Sequence, residues 1–116
     1  MAIPIESEFS SSTSGKPIPV AATATPGTAI HAAGVSGFEK VWIYASNVTA
    51  SDATLTLEWG GVADPGDHMV KSYRIPAFSQ PLRITEGQII KGSLIIRAFS
   101  SVASAINISG YVIAVR

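Results

Sequence analysis

The two histidines, His31 and His68, are the first residues to examine for catalysis or metal binding. Neither has a second ligand-type residue at a spacing that metal sites use, and the chain contains no cysteine to act as a thiolate. The serines are numerous, but none lies in a nucleophile-elbow or triad pattern. We therefore predict no catalytic residue, no metal site and no cofactor, and we expect that the chain is not an enzyme.

Two aspartates, Asp64 and Asp67, lie in the segment GGVADPGD of residues 60–67. Carboxylate oxygens on an irregular loop are the ligands that Ca²⁺ takes, but this spacing matches no established calcium loop. Aspartate beside proline and glycine is also ordinary in turns, where its side chain hydrogen-bonds to the nearby backbone. We favour the turn over the calcium site.

Four aromatic residues could stack against a sugar ring, namely Trp42, Tyr44, Trp59 and Tyr73. If they were exposed together beside polar groups, they would form a carbohydrate- or receptor-binding platform. Aromatic residues at strand positions more often belong to a core or an interface. We favour the core or interface interpretation, and the sugar platform stays the alternative.

The composition of the chain indicates a surface that partners cover. Its 116 residues suit a single domain, and only 14% of them are charged, whereas ordinary soluble proteins have about 25%. The formal net charge is 0, so copies do not repel one another. The eight basic residues are scattered, which argues against nucleic acid as a partner. No apolar run approaches the ~20 residues of a membrane-spanning helix, which argues against membrane insertion.

Residues 1–27 form a predicted extended N-terminal arm, because four prolines and a serine-rich run interrupt any helical period. Its few apolar side chains cannot offset the entropy of ordering so many residues. We therefore expect neighbouring chains to order the arm. The predicted partner-binding residues are the apolar ones: Ile3, Ile5, Phe9, Ile18 and Val20.

Residues 28–116 have the pattern of a β-sandwich domain. Residues 54–59 alternate strictly, with Leu55, Leu57 and Trp59 on one face, which predicts a half-buried strand whose Thr56 and Glu58 lie on the open face. Residues 38–48 are apolar on both faces, which predicts a central strand. Further strands are predicted at residues 28–33, 69–75, 82–85, 93–100 and 106–115.

Turn signals separate these segments, and two glycines suggest local irregularity. Glu86 and Gly87 predict a turn after a short strand, while Gly110 predicts a bulge that changes which face points inward. About seven or eight short strands at this spacing predict an all-β sandwich or jelly roll. An immunoglobulin-like topology is equally compatible with the sequence.

Several segments of the body resemble a known class of proteins. Gly27-Thr28-Ala29-Ile30-His31, Val41-Trp42-Ile43-Tyr44-Ala45-Ser46-Asn47, Leu55-Thr56-Leu57-Glu58-Trp59-Gly60-Gly61 and Ile108-Ser109-Gly110-Tyr111-Val112 look like small virion proteins of tailed bacteriophages. The resemblance covers about residues 25–116 and includes no catalytic motif. It implies a β-sandwich in the particle, foremost a capsid cement or decoration protein that binds over capsomer junctions, often as a trimer.

The sequence therefore predicts a non-enzymatic virion structural protein that stabilises the phage head. We expect a homotrimer bound to the major capsid protein or another virion protein. The absence of cysteine and of a secretion signal fits assembly in a bacterial cytoplasm. The alternatives are a head–tail connector or tail component, or a carbohydrate- or receptor-binding sandwich.

Overall fold

A computed structural model of the chain describes residues 4–115, which form nine β-strands and no helix. None of the described residues therefore forms a helix with the length and hydropathy of a membrane span. The strands are β1 (Pro4–Ser7), β2 (Ile18–Pro19), β3 (Thr28–Ala32), β4 (Phe38–Asn47), β5 (Ala53–Trp59), β6 (His68–Ile75), β7 (Leu82–Ile90), β8 (Ile95–Ser100) and β9 (Ile106–Val115).

The strands form two antiparallel sheets whose connectivity is that of a jelly roll. One sheet has the order β1-β9-β4-β7, with β2 beside β1 along the same side of β9, and the other has the order β3-β8-β5-β6. Four pairs are nested along the chain: β1 with β9, β3 with β8, β4 with β7, and β5 with β6. This nesting is that of a long hairpin rolled into a sandwich, as in an eight-stranded jelly roll.

The predicted all-β sandwich is confirmed, and the nested pairing decides between the topologies that the sequence left open. Residues 28–115 contain seven strands, and each of the predicted strand segments is present. The arm supplies the remaining two strands, β1 and β2, and both pair with β9. The pair of β1 and β9 is the outermost of the four nested pairs. Residues 4–19 thus contribute strands to the sandwich, although the sequence predicted a boundary near residue 27.

The core lies between the sheets and is built from alternate residues of the central strands. Strand β4 lies between β9 and β7, as its two apolar faces predicted, and directs Val41, Ile43 and Ala45 inward. Leu55 and Leu57 of β5 face them from the second sheet, and all five are fully buried. Alternation of this kind is what packs two sheets face to face.

The outer face of β5 is also covered, contrary to the prediction of a half-buried strand. Thr56 is 2% exposed and Glu58 is 0% exposed. The Glu58 carboxylate accepts hydrogen bonds from the Thr25 hydroxyl at 2.5 Å and from the Gly27 N–H at 2.6 Å. The chain entering β3 therefore crosses over this face, a long-range packing that alternation within β5 cannot reveal.

Gly87 and Gly110 have roles other than those the sequence suggested. Val41 pairs with Gln88 and Trp42 with Glu86, so Gly87, at φ +80°, is the extra residue of a bulge inside β7 and not a turn. Gly110 keeps the register of β9 against β4 and is not a bulge. A Cβ there would lie 2.0 Å from the Trp42 carbonyl oxygen, so close backbone approach requires glycine.

Residues 4–20 are held by their own chain. Ser7 pairs with Val112 at the inner end of β1, the Ser11 N–H donates to the Ile30 carbonyl at 3.2 Å, and the Val20 N–H donates to the Ile106 carbonyl at 2.9 Å. These bonds connect the arm to both sheets and close one side of the sandwich. Backbone pairing supplies the stabilisation that the few apolar side chains alone could not.

Candidate functional site

Three loops meet at one end of the sandwich and form the most distinctive surface of the molecule, which we call the Phe78 end. It comprises residues 48–52, 76–81 and 101–105, which follow β4, β6 and β8. The Phe78 N–H donates to the Thr49 carbonyl at 3.0 Å, and the Val48 N–H donates to the Ala105 carbonyl at 2.9 Å. The three loops are therefore hydrogen-bonded to one another as one unit.

Each loop of the Phe78 end presents one large apolar side chain to solvent. Phe78 is 71% exposed, Val48 is 51% exposed and Val102 is 44% exposed. Single exposed apolar residues are common on soluble proteins. Here the three lie on loops that are hydrogen-bonded together, at the same end of the sandwich.

The backbone of Phe78 is in a conformation that aromatic residues seldom adopt. Its φ is +50°, and the turn around it is closed by the Ser79 N–H, which donates to the Pro76 carbonyl at 3.2 Å. A positive φ at the third position of a turn normally selects glycine or asparagine. A bulky residue in such a conformation costs on the order of 1 kcal/mol, and such strain is typical of functional positions.

Asn47 organises the base of the Phe78 end from a buried position. Its side-chain amide donates to the carbonyls of Ser51 at 2.8 Å and Ile75 at 3.1 Å, and its Oδ1 accepts from the N–H and hydroxyl of Thr49. Its own N–H donates to the Ser79 hydroxyl oxygen at 3.2 Å. One side chain thus ties the loop after β4 to the end of β6.

Asp52 fixes the same loops from the outside. Its Oδ1 accepts from the Ala77 N–H at 2.9 Å, and its Oδ2 accepts from Nε and Nη2 of Arg74 at 2.9 Å and 2.6 Å. The Ala77 hydrogen bond and the Arg74 guanidinium hold the pKa of Asp52 below its ordinary value. The ionised carboxylate therefore restrains the residue that precedes Phe78.

The geometry of the Phe78 end holds an exposed aromatic side chain on an ordered loop. An aromatic side chain held by an ordered loop loses little conformational entropy when a partner covers it. Burial of such a side chain is worth roughly 1.5–3 kcal/mol. Within the described part of the chain, no group of three or more histidine, aspartate or glutamate side chains is placed to hold a metal ion.

The residues predicted to bind a partner through the arm are placed mainly inside the sandwich. Phe9, Ile18 and Val20 belong to the core cluster, and the Phe9 ring packs 5.9 Å from the His31 ring. Ile5 is 49% exposed on β1, while Ile3 lies outside the described residues. Of the four described residues, Ile5 alone presents a largely exposed side chain to a partner, and that role stays a prediction.

His31 is engaged at both ring nitrogens. The Ser10 N–H donates to Nδ1 at 3.0 Å, and Nε2 lies against Oε1 of the buried Glu39. The other Glu39 oxygen accepts from the Gly34 N–H at 2.7 Å. Because a backbone N–H points at Nδ1, that nitrogen is unprotonated and the ring donates from Nε2. The pair joins β3 to β4 across the two sheets.

Of the two aspartates of residues 60–67, Asp67 bonds within the turn, whereas Asp64 is bound by a lysine of β6. Oδ2 of Asp67 accepts from the Ala63 N–H at 3.0 Å, and Oδ1 of Asp64 accepts from the Lys71 ammonium at 2.7 Å. Gly60 has a φ of +82°, as a turn at the end of β5 predicted. These contacts agree with the turn interpretation of this segment.

The four aromatic candidates do not form one platform. Trp42 and Tyr44 are on the outer face of the first sheet, where Trp42 stacks on Tyr111 with ring centroids 5.1 Å apart. Trp59 packs against the core in the second sheet and donates its indole N–H to the Ile89 carbonyl at 3.0 Å.

Tyr73 is exposed on the edge strand β6, apart from the other three aromatic candidates. It lines a groove with Val70, Arg83 and Ile84, between the free edges of β6 and β7. The groove encloses about 240 Å³. β6 and β7 are the last strands of their sheets among the described residues. The outer edge of each could therefore pair with a strand of another chain.

Comparison with family models, with curated proteins and with solved structures returns no match. The resemblance to phage virion proteins therefore stays a prediction. The sequence did not single out Phe78, Asn47 or Asp52, which define the Phe78 end. One signal in the sequence could have indicated Phe78, which lies between Pro76 and Pro81 in a predicted loop. An aromatic residue in such a loop has few neighbours to bury it, so an exposed ring could have been expected.

Proposed function

We propose that this chain is a non-enzymatic structural protein of a tailed-bacteriophage virion, foremost a capsid cement protein, and that it binds its partner through the Phe78 end. The observation that carries the proposal is the exposed Phe78 side chain on a loop whose backbone is strained and hydrogen-bonded to two neighbouring loops. The low share of charged residues supports it, since a poorly charged surface suits a protein enclosed by neighbours.

The jelly-roll topology is compatible with this role and does not prove it. Jelly rolls recur in viral capsid proteins, but also in lectin domains, and a fold by itself does not specify function. The virion role therefore rests on the sequence resemblance together with the Phe78 end. Connector and tail positions in the same particle use the same kind of contact and are the nearest alternatives.

The chemistry of the Phe78 end favours a protein partner over a sugar. Sugar sites place polar groups beside an aromatic ring to bind hydroxyls. At this end the oxygens of Asn47, Ser79 and Ser101 are already engaged, because each accepts from a main-chain N–H of the same chain. The large apolar side chains of Phe78, Val48 and Val102 stay exposed at the same end and are available to a protein partner.

The virion role is tested by locating the chain in cells that produce it. Particles purified from their lysate by density gradient would be analysed by mass spectrometry, with the remaining soluble fraction as the reference. We expect the chain in the particle fraction, in a fixed ratio to the main shell protein. Its absence from the particles and recovery in the soluble fraction would contradict the proposal.

The role of Phe78 is tested with a matched pair of variants. Phe78→Asn removes the aromatic ring and suits the positive φ, while Val35→Asn alters a side chain that is 88% exposed on the loop joining β3 to β4 at the opposite end. We expect Phe78→Asn to fold normally and to bind at least about tenfold more weakly to particles from which the natural chain has been removed. We expect Val35→Asn to bind these particles like the natural chain. Equal binding by both variants would remove the Phe78 end from the proposal.

A further inference from the structure

His68 is a buried histidine whose two ring nitrogens have no hydrogen-bond partner among the described residues. Its side chain is 4% exposed, and its ring meets the Phe99 ring edge-on, with centroids 6.2 Å apart. Buried polar atoms are nearly always satisfied, and leaving them unpaired is costly. His31, the other histidine, has a contact at each nitrogen.

Two carboxylates lie just beyond hydrogen-bonding distance on different sides of the ring. Nε2 of His68 is 3.9 Å from Oε2 of Glu58, and Nδ1 is 3.5 Å from Oδ1 of Asp64. A neutral imidazole has one N–H and can donate to only one of them, whereas an imidazolium has two. Proton uptake thus supplies a donor to each acceptor.

The other charged groups around the ring leave this pairing possible. Lys71, also on β6, is bound to Asp64 from the solvent side. Arg97 of β8 is the cross-strand neighbour of Glu58, and Asp67 in the turn accepts from the Ala63 N–H. A positive His68 acts on Asp64 in the same direction as Lys71, which by hydrogen bond and charge holds the pKa of Asp64 low.

Both carboxylates are attached to segments that cover the outer face of the second sheet. Glu58 accepts from Thr25 and Gly27 in the segment leading into β3. Asp64 lies in the turn between β5 and β6, whose Asp67 carbonyl accepts from the Trp59 N–H at 2.8 Å. A doubly bonded His68 would therefore hold the segment of residues 22–27 and the turn of residues 60–67 on the same sheet.

We propose that His68 is a proton-controlled latch that, when protonated, binds Glu58 and Asp64 together and clamps both segments onto the sandwich. The protonated ring gains contacts in the folded chain that the unfolded chain lacks. The latch therefore stabilises the fold at acidic pH, and this stabilisation is lost as the pH rises and the ring gives up its proton. The latch is independent of the Phe78 end, at the opposite end of β6.

The test compares the natural chain with His68→Phe, which keeps an aromatic ring against Phe99 but cannot take up a proton. Urea unfolding at pH 5.5 and pH 7.5 gives the unfolding equilibrium constant of each protein. We expect the ratio of the two constants to shift by about threefold to fivefold between these pH values, in favour of the natural chain at pH 5.5. His31 and the carboxylates that do not face His68 are common to both proteins and cancel, whereas any change at Glu58 and Asp64 belongs to the latch itself. A ratio that is the same at both pH values would overturn the latch.

A second measurement needs no variant and applies even if His68→Phe does not fold. Amide hydrogen exchange of the natural chain, corrected for intrinsic rates, would be followed from pH 7.5 to pH 5.5. We expect protection of the Gly27, Ala63, Asp67 and His68 amides to rise together as the His68 ring protonates, with β4 unchanged. Protonation of His68 in the NMR spectrum without added protection at these amides would contradict the proposal.

Discussion

Phe78 illustrates how buried and surface polar residues can hold the loop that exposes an aromatic side chain. Asn47 is buried and fixes the loop after β4, while Asp52 fixes the residue that precedes Phe78. Neither role could be predicted from sequence, because asparagine and aspartate in loops are ordinary turn residues. The positive φ of Phe78 could not be predicted either, because a phenylalanine in a loop seldom adopts such a backbone conformation.

Asp52→Asn is predicted to weaken the Phe78 end in a pH-dependent way. The pKa of Asp52 is below its ordinary value of 3.8, chiefly through the Ala77 hydrogen bond and then Arg74. A lowered carboxyl pKa stabilises the fold above the unfolded value and loses that effect as the pH falls through the folded value. Thermal unfolding should show the natural chain more stable than Asp52→Asn at pH 7, with the difference vanishing toward pH 2. A difference that persists at pH 2 would point to lost packing instead of lost charge.

At the scale of elements, the seven strands of the body were predictable because their apolar residues alternate or form short β-branched runs. The pairing of the strands was not predictable. β1 and β9, for example, are separated by almost the whole chain, and no local pattern encodes such a contact. For the same reason the sequence assigned the arm to neighbouring chains, whereas Phe9, Ile18 and Val20 lie in the core.

The placement of the arm is tested with two variants in each of which alanine replaces a large apolar side chain. Phe9→Ala removes a ring that is 1% exposed and should destabilise the chain by about 3–5 kcal/mol. Ile5→Ala, on an exposed edge of β1, should cost about 0.5 kcal/mol or less. Urea unfolding of both variants measures this. Equal, small effects would mean that the arm is not held by its own chain in solution.

Gly110 offers a similar test of how closely β9 approaches β4. Gly110→Ala places a Cβ against the Trp42 carbonyl and near the Phe9 ring, and we expect about 3 kcal/mol or more of destabilisation. Gly66→Ala is the control, because a Cβ there meets nothing within 4 Å. Circular dichroism during heating compares the two variants. A Gly110→Ala variant as stable as Gly66→Ala would show that the strands are further apart than described.

At the scale of the whole molecule, the Phe78 end lies at one end of the sandwich, and His68 with its two carboxylates lies toward the other. The edge strands β6 and β7 lie along one side. The sequence anticipated a partnering module from its low charge, but it located the partner surface in the arm. The structure directs attention to the Phe78 end, because most of the apolar arm residues are buried and Phe78 is exposed.

The most direct test of this account is an image reconstruction of the assembly that contains the chain, at a resolution that shows side chains. We predict that Phe78, Val48 and Val102 are covered by another protein of a phage particle, with Phe9 and Val20 inside their own sandwich. A reconstruction in which the Phe78 end faces solvent, and a different surface contacts the neighbouring subunit, would contradict the account.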